Sequence, residues 1–245
     1  MVELRQLLRL IDSHTEAAWS SALFDVAEDL GFSSVMYAAL PSKHANLETS
    51  FLQSNYSQAW RQRYEAEKLH YVDPTVHHCM TSVLPLVWQP ETFSRAEQAA
   101  MYEEASGHGI RSGITFPMHG CNGEAGLISF ASDMAPGPAF NAQLTHYMSE
   151  LSLVRDYAFE SSLPFLRAHN AAEPVPHLTR RELEVLKWVM AGKSSWEISR
   201  ITDCAEATVN FHISNIRQKF NVSTRQQALV KAIALGIINP EDPHR

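Results

Sequence analysis

The sequence predicts an α+β fold in two parts: an N-terminal antiparallel sheet flanked by helices on both faces (an αβα sandwich), followed by an all-α domain of four helices. Three observations lead to this prediction. Strand-like segments before residue 161 follow one another without strict alternation with helices, as in antiparallel sheets. A segment with three prolines, 161–178, breaks the periodicity. Only helical patterns follow that segment.

Composition and charge divide the chain at the same place. The 245 residues are 45% hydrophobic and 19% charged, which is typical of one large or two ordinary globular domains. Residues 1–173 hold 10 Lys+Arg and 20 Asp+Glu, whereas 174–245 hold 10 and 7, so a net charge of −10 is followed by one of +3. We therefore predict a first domain at 1–165, a linker at 166–177 and a second domain at 178–245.

Cysteine usage and hydropathy indicate a cytoplasmic protein without a membrane partner. Cys79, Cys121 and Cys204 are odd in number and have no paired spacing, and no hydrophobic signal segment follows Met1. The longest apolar runs have the length of strands, well below the roughly 18 residues that a membrane span needs.

Period-two alternation and short apolar runs predict five strands in the first domain. They are 34–40, 49–54, 85–88, 112–118 and 124–131. Helical periodicity predicts the elements around them. An amphipathic helix follows Met1, and further helices are expected at 14–30, 57–68, 74–81, 94–108 and 139–160.

Capping signals define the first two helices of the second domain. Thr179 and Ser194 each stand three residues before a Glu, which is the spacing of a capping box. Gly192 is a typical C-terminal stop for the first of these helices. The second helix, 195–202, is short, and a brief turn follows it.

The next stretch, EATVNFHISNIRQKF (206–220), predicts a helix with one apolar stripe. Val209, Ile213, Ile216 and Phe220 are spaced for a single helix face, so the opposite face is polar. A short helix, a turn and a helix with a polar outer face form a helix-turn-helix, whose second helix enters the major groove of DNA. The alternative is a solvated face of a helical bundle.

Position along this helix separates two kinds of DNA contact. Asn210 and Ser214 lie one turn apart near its N-terminal end and suit base edges, and Phe211 suits a thymine methyl group. The other polar and cationic side chains suit phosphates. The complete candidate set is Lys193, Ser195, Trp196, Thr208, Asn210, Phe211, Ser214, Arg217 and Lys219.

A last helix, about 224–236, carries more apolar side chains than the edge of a small domain needs. A dimer interface and closure of the bundle core both explain them. They are Ala228, Leu229, Ala232, Ile233 and Leu235.

Nearly all of 178–238 resembles the DNA-binding domain of LuxR-type transcription regulators. The resemblance rests on LTRRELEVLKWVMAGKSSWEIS followed by TVNFHISNIRQKF, in which Glu182, Leu186 and Gly192 fall on signature positions. Response regulators carry a similar domain, so control by phosphorylation remains an alternative.

The segment 55–79 is the candidate binding region of the first domain. Tyr56, Trp60 and Tyr64 recur every four residues and line one side of a helix, either as core or as a pocket wall. Asp73 followed by Pro74 is a helix N-cap with proline at the first helical position, a role that is compatible with binding.

No reaction chemistry or metal site is predicted. His77, His78 and Cys79 point in different directions on a helix and lack a second cluster at ligand spacing, and Ser129 lacks the G-x-S-x-G elbow of an esterase.

The whole chain resembles acyl-homoserine-lactone receptors of the LuxR type. Trp60, Tyr64, Asp73, Pro74, Trp88 and Gly113 fall where that family keeps those residue types. NYSQAWRQRY, VDPTV and VLPLVW are most similar to its LasR subgroup.

The resemblance implies a role for each polar residue of the pocket. Asp73 would accept the amide N–H of the ligand, supported by Thr75, and the Trp60 indole would donate to the lactone carbonyl. The Tyr56 and Ser129 hydroxyls would donate to the amide carbonyl, and Arg61 would reach a 3-oxo group through water. The ring and tail walls would be Met36, Ala38, Leu40, Leu52, Tyr64, Val76, Cys79, Trp88, Phe93, Tyr102, Ile110, Ala125 and Leu127.

The resemblance therefore implies a quorum-sensing transcription regulator without enzymatic activity and without a cofactor or metal. It would bind a long-chain acyl-homoserine lactone, including one with a 3-oxo group, dimerise, and bind a two-fold symmetric promoter site as an activator with RNA polymerase as partner. The alternatives are a lactone-hydrolysing enzyme and a phosphorylation-controlled response regulator with the same DNA-binding domain.

Overall fold

The computed structural model describes residues 2–43, 45–170 and 176–238. Its contacts divide the chain into two compact units, Met1–Asn170 and Ala171–Arg245. Five residues of the predicted linker, 171–175, and the last seven residues of the chain lie outside the described residues.

The first unit is built on one antiparallel sheet of five strands, in the order β2-β1-β5-β4-β3. The strands are β1 Ser34–Leu40, β2 Phe51–Ser54, β3 Leu86–Val87, β4 Ser112–His119 and β5 Ala125–Ser132. Every neighbouring pair is antiparallel, so the predicted α+β class is confirmed. The register pairs Met36 with Ser129 and Ser129 with Thr115, which places these three side chains on one face.

Helices cover both faces of this sheet. The helices on one face are α1 Leu4–Ile11, α2 Glu16–Asp29 and α6 Pro138–Asn170; those on the other are α3 Gln58–Ala66, α4 Pro74–Thr81 and α5 Ala96–Gly107. The first face is packed with aromatic side chains, among them Trp19 and Tyr37, whose ring centroids lie 4.9 Å apart. The second face leaves room for a cavity.

The helix α6 continues ten residues beyond its predicted end at 160. It passes through Pro164 and covers 166–170, so the predicted boundary at 165 and the first part of the predicted linker are corrected to helix. Proline removes one backbone hydrogen bond, but Pro164 and Glu160 are both exposed, so water can solvate the freed carbonyl. On the buried side Ser161 accepts a hydrogen bond from the Trp19 indole at 2.8 Å, which holds the helix against the core.

The described residues of the second unit form four helices around one apolar cluster. They are α7 Arg180–Met190, α8 Ser195–Ile201, α9 Glu206–Lys219 and α10 Arg225–Ala234. The capping boxes at Thr179 and Ser194 are present in the structure. Ala228 and Ala232 of α10 are buried in this cluster, so these two close the bundle, whereas Leu235 remains exposed.

Candidate ligand pocket and nucleic-acid interface

A cavity of about 710 Å³ lies on the second face of the sheet of the first unit. Side chains from β1, β2 and β5 form its floor, and α3, α4 and α5 contribute its walls. Its volume lies within the roughly 300–1,000 Å³ of pockets for small organic ligands. Two apolar clusters meet here, one around Trp60 and Trp88 and one around Val76 and Leu127, and Met36 contacts both.

Asp73 is the buried acidic group of this cavity, whereas Glu16 and Glu65 of its lining are exposed. One carboxylate oxygen, Oδ1, accepts hydrogen bonds from the Thr75 backbone N–H at 2.8 Å and from its hydroxyl at 2.7 Å, which caps α4. The other oxygen, Oδ2, accepts from the Tyr64 hydroxyl at 2.9 Å. Burial raises the pKa of Asp73, and the hydrogen bonds from Thr75 and Tyr64 oppose that rise. Oδ2 therefore keeps acceptor capacity for one further donor, whereas Oδ1 already accepts two hydrogen bonds.

Three side chains on β3 to β5 form a second polar group. The Trp88 indole donates to the Thr115 hydroxyl oxygen at 2.9 Å, and the Thr115 and Ser129 hydroxyls are 2.9 Å apart. Because Thr115 already accepts from Trp88, it can donate to Ser129, which leaves the Ser129 hydroxyl hydrogen for a ligand. Thr115 was not predicted from the sequence; its only signal is that it lies two residues after Gly113 on the same strand face.

Tyr56 is buried, and its hydroxyl has no hydrogen-bond partner among the described residues. Burial, and then the negative charge of Asp73, raise the pKa of Tyr56, so the phenol is neutral and can donate. Trp60 is also buried, and its ring packs edge-on against Tyr64 at 5.9 Å between centroids. The side chains of Tyr56, Trp60, Tyr64 and Asp73 therefore line the same cavity.

The orientation of Trp88 depends on Gly113. A Cβ atom at Gly113 would lie 2.7 Å from a ring carbon of Trp88 and 2.9 Å from the Phe130 carbonyl oxygen, closer than real Cβ atoms approach. The absence of a side chain at 113 thus lets the indole lie flat on β4 and reach Thr115.

The structure brings most of the predicted wall residues together. Those that line the cavity are Met36, Ala38, Leu40, Leu52, Tyr64, Val76, Trp88, Phe93, Tyr102, Ile110 and Leu127. The other two predicted wall residues, Cys79 and Ala125, are not among the described lining residues. Cys79 nevertheless packs beside Val76 and Leu127. Burial raises the pKa of Cys79 to about 12, so its thiol is neutral and inert. Four further residues that line the cavity were not predicted from the sequence: Leu47, Met80, Met101 and Ala105.

The missed wall residues differ in what could have revealed them. Met80 follows Val76 by four residues on α4, a spacing that is visible in the sequence. Leu47 lies in a short 3-10 helix between β1 and β2, where no periodicity points to the cavity. Arg61, a predicted ligand residue, is exposed and is one of the residues that line the cavity.

The second unit exposes the polar face that the sequence predicts. Thr208, Asn210 and Ser214 of α9 are exposed, and Phe211 is 61% exposed. Trp196 of α8 is 60% exposed and has the Arg200 guanidinium 5.9 Å from its ring centroid.

The other two predicted residues of α8 and its N-terminal turn are partly exposed. Lys193 lies 3.4 Å from Glu197 in an exposed ion pair, which costs little to break. Ser195 is the first residue of α8 and is half-buried. Both lie at the start of α8, where backbone N–H groups suit phosphates.

Two predicted phosphate contacts at the end of α9 have partners within the unit. The Lys219 ammonium donates to Glu182 Oε2 at 2.6 Å and to the His177 carbonyl at 2.9 Å. The Arg217 guanidinium donates to the Ser223 carbonyl at 3.1 Å. Lys219 is thus an intradomain partner of a buried carboxylate in this structure, and its contact with phosphate stays a prediction.

The described residues contain neither a candidate metal site nor a helix suited to span a membrane. Among them no group of three His, Cys, Asp or Glu side chains could hold a metal ion. In the same residues no helix is long and apolar enough to cross a membrane.

Family models match both units of the chain. Residues 15–162 match the autoinducer binding domain, and residues 176–232 match the bacterial regulatory proteins of the luxR family. The first match covers nearly all residues that line the cavity, and the second covers α7, α8, α9 and most of α10.

Individual proteins resemble the chain along most of its length. It is 36% identical over 186 residues, 76% of each chain, to the transcriptional activator protein VanR of Vibrio anguillarum. It is 32% identical over 243 residues to the quorum sensing-dependent transcriptional regulator RpaR of Rhodopseudomonas palustris, covering 96% of this chain and 95% of RpaR. The crystal structure of SdiA from Escherichia coli is similar in fold, with a TM-score of 0.75, 26% identity, and coverage of 96% and 97%.

Proposed function

Since the chain belongs to the LuxR family of bacterial regulatory proteins with an autoinducer binding domain, we propose that it is a quorum-sensing transcription activator whose autoinducer is a long-chain acyl-homoserine lactone. The family consists of transcription regulators, so the prediction that the chain is not an enzyme is confirmed and lactone hydrolysis is set aside. VanR is named a transcriptional activator, which supports activation here. Promoter DNA is cytoplasmic in bacteria, and we place the protein there.

One observation supports this ligand class above the others. A buried acceptor, the Asp73 carboxylate, and the donors of Trp60 and Tyr56 line the same cavity. An acyl-homoserine lactone has one amide N–H, two carbonyls outside its tail, and an alkyl chain. In our pose the amide N–H donates to Asp73, the Trp60 indole donates to the lactone carbonyl, and Tyr56 donates to the amide carbonyl. The free Tyr56 hydroxyl supports this arrangement, because a buried donor without a partner destabilises the protein until one arrives.

The tail is assigned to the apolar cluster around Val76 and Leu127. Ala38 and Leu40 of β1 and Leu52 of β2 extend this wall along the sheet. The cavity volume supports a long tail. A 3-oxo group would reach Arg61 through water. The subgroup assignment to LasR stays a prediction from three short segments.

We further propose that the protein acts as a homodimer on a two-fold symmetric promoter site and contacts RNA polymerase there. Two copies related by a two-fold axis present two recognition helices to two half-sites. The α1 helix keeps Leu4, Leu8 and Ile11 exposed on one side, and a second copy would cover them. Control by phosphorylation is less supported, because a receiver domain has a parallel sheet and this sheet is antiparallel.

Thermal unfolding of the full chain with lactones of graded tail length tests the ligand class. We expect an upward shift in the melting temperature that peaks at a long tail, because a ligand that binds only the folded state stabilises it by about 4 kcal/mol at a thousandfold excess over its Kd. Homoserine lactone without a tail and the ring-opened acyl-homoserine are the matched controls. If circular dichroism shows folded protein and no lactone shifts the melt, the ligand is of another class.

A further inference from the structure

The C-terminal end of α9 is tied to a buried carboxylate. Glu182 of α7 is only 3% exposed, and its Oε2 accepts from the Thr179 backbone N–H at 2.7 Å and from the Lys219 ammonium at 2.6 Å. The first bond belongs to the capping box that starts α7. The second joins α7 to the last residue of α9, which lies 37 residues further along the chain.

The same ammonium also holds the segment that enters the second unit. Lys219 donates to the His177 carbonyl at 2.9 Å. One cation therefore joins three separate pieces of chain: the residues before α7, the first turn of α7, and the end of α9. Its side chain is 34% exposed, so its stem and head are mostly covered by these partners.

The carboxylate of Glu182 is ionised in this arrangement. Burial raises its pKa, but the hydrogen bonds from Lys219 and Thr179 outweigh burial, and the pKa of Glu182 is lowered. Removal of Lys219 would leave a buried charge without its cation, which is among the strongly destabilising changes in proteins. The Glu182–Lys219 ion pair is therefore expected to be stronger than an ion pair between two exposed side chains.

The position of this tie matters for base reading. Asn210 and Ser214 lie nine and five residues before Lys219, or about 13 Å and 8 Å along the axis at 1.5 Å per residue. Val209 and Ile216 seat the apolar side of α9 on the bundle. Apolar packing is non-directional, whereas the charge-assisted bond at Lys219 sets where the helix end lies relative to α7.

We propose that the Glu182–Lys219 pair positions the recognition helix, so that it determines base preference without touching DNA, and that it holds the entering segment at His177 in the same step. This inference rests on DNA binding by the second unit and not on the identity of the autoinducer. Glu182 is too buried to contact DNA, so any effect of Glu182 on base preference has to pass through α7, Lys219 and α9.

The test uses the full chain, expressed with N-dodecanoyl-homoserine lactone in the medium, and two DNA probes. One probe is a two-fold symmetric duplex selected from a random library by the unsubstituted protein; the other is a random duplex of the same length. The variants are Lys219→Met, Lys219→Arg and Glu182→Gln. For each we would measure Kd for both probes at several salt concentrations, and the melting temperature.

If the Glu182–Lys219 pair positions α9, three results are expected. Lys219→Met and Glu182→Gln reduce the ratio of selected to random affinity by about tenfold, a value in the range of one lost base contact. The slope of log affinity against log salt stays unchanged, because no phosphate contact is lost. Lys219→Arg restores the ratio, since arginine keeps the charge next to Glu182. Binding is measured below the melting temperature of each variant, which we expect to fall by more than about 10 °C in Lys219→Met.

Arg181→Met is the matched control, because the Arg181–Glu184 pair is exposed on the same helix. It should change neither the ratio nor the melt. Two results would overturn the assignment. A salt slope lower by about one in Lys219→Met but not in Glu182→Gln would make Lys219 a phosphate contact. A lower melting temperature with an unchanged affinity ratio in both variants would make the pair structural only. If Lys219→Met fails to fold, Glu182→Gln and Lys219→Arg decide the question.

Discussion

Asp73 combines two roles that usually fall on different residues. Its Oδ1 caps α4 through Thr75, while Oδ2 is shared between Tyr64 and the cavity. An asparagine caps a helix about as well as an aspartate. Asparagine, however, would replace Oδ2 by an NH₂ donor that faces the donating hydroxyl of Tyr64 and the donating amide of a lactone. The two roles can therefore be separated by one substitution.

Asp73→Asn is expected to weaken lactone binding by about 1–3 kcal/mol, because the ligand amide would lose its acceptor and remain buried. The ligand-free melting temperature should change little, since the cap is preserved and the Tyr64 hydroxyl can rotate to accept from the new NH₂ group. Asp133→Asn, which alters an exposed carboxylate outside the cavity, is the control. Calorimetric titration of both variants measures the effect, and equal affinities would remove Asp73 from the ligand contacts.

The protonation of Asp73 makes lactone affinity depend on pH. Burial raises the pKa of Asp73 above its usual 3.8. In the ligand-free protein the stability linked to this shift is present at low pH and is lost as pH rises through the raised pKa. Lactone binding has the opposite sign, because the ionised carboxylate accepts the amide N–H more strongly than the protonated carboxyl group does. Below the raised pKa we expect the affinity to fall by up to about tenfold per pH unit.

Fluorescence titration of the full chain between about pH 4.5 and 7, a range in which lactones persist, would measure this dependence. Asp133→Asn should keep the profile and Asp73→Asn should flatten it. A flat profile in the unsubstituted protein would mean that Asp73 does not pair with the ligand.

Sequence reasoning at the level of residues succeeded where the relevant spacing is local. Tyr56, Trp60 and Tyr64 follow helical spacing, and Asp73 precedes a proline, so their common location could be predicted from neighbouring positions. Thr115 could not, because its partners are Trp88, which follows β3, and Ser129 of β5, and both depend on strand register. The partners of Lys219 likewise come from α7 and from the segment before it, so the sequence of α9 alone does not reveal them.

At the level of elements, the predictions held where one face of an element is apolar and the other polar. In β4 and β5 nearly every residue is buried, so alternation is absent and only the apolar run marks them. In helix α6 the sequence suggests a break that the structure does not have, because Pro164 and small polar residues interrupt the helical pattern. Its continuation depends on Trp19 and Tyr37, which bond to Ser161 and Ser162 from other elements.

The close approach of Trp88 to β4 predicts that Gly113→Ala destabilises the first unit. The new Cβ would meet the indole and the Phe130 carbonyl, and overpacking of this kind costs about 1–3 kcal/mol. Gly107→Ala is the control: a Cβ at Gly107, the last residue of α5, would meet nothing within 4 Å, and we expect no loss there or a gain of about 0.5–1 kcal/mol. Urea unfolding of both variants measures the difference, and equal destabilisation would contradict this explanation of Gly113.

At the level of the whole molecule, the two units have net charges of opposite sign and different binding partners. The acidic first unit surrounds a cavity for a neutral ligand, whereas the positive second unit presents α9 to a polyanion, as expected for electrostatic steering. The division into acidic and basic parts could be predicted from charge and prolines alone. The lactone and the DNA therefore bind to different units, and any influence of one on the other is a coupling free energy between two sites.

This coupling has a testable consequence. If lactone binding favours the dimer and the dimer binds two half-sites, the lactone raises DNA affinity by some factor, and the selected duplex must raise lactone affinity by the same factor at equal protein concentration. We expect a factor of about 5–150, the usual range of coupling. Fluorescence anisotropy with and without lactone, and lactone titration with and without the selected duplex, measure the two factors. A random duplex controls for charge alone. If both factors equal one, the lactone acts only by stabilising the folded first unit, and DNA binding by the second unit would then be independent of the signal.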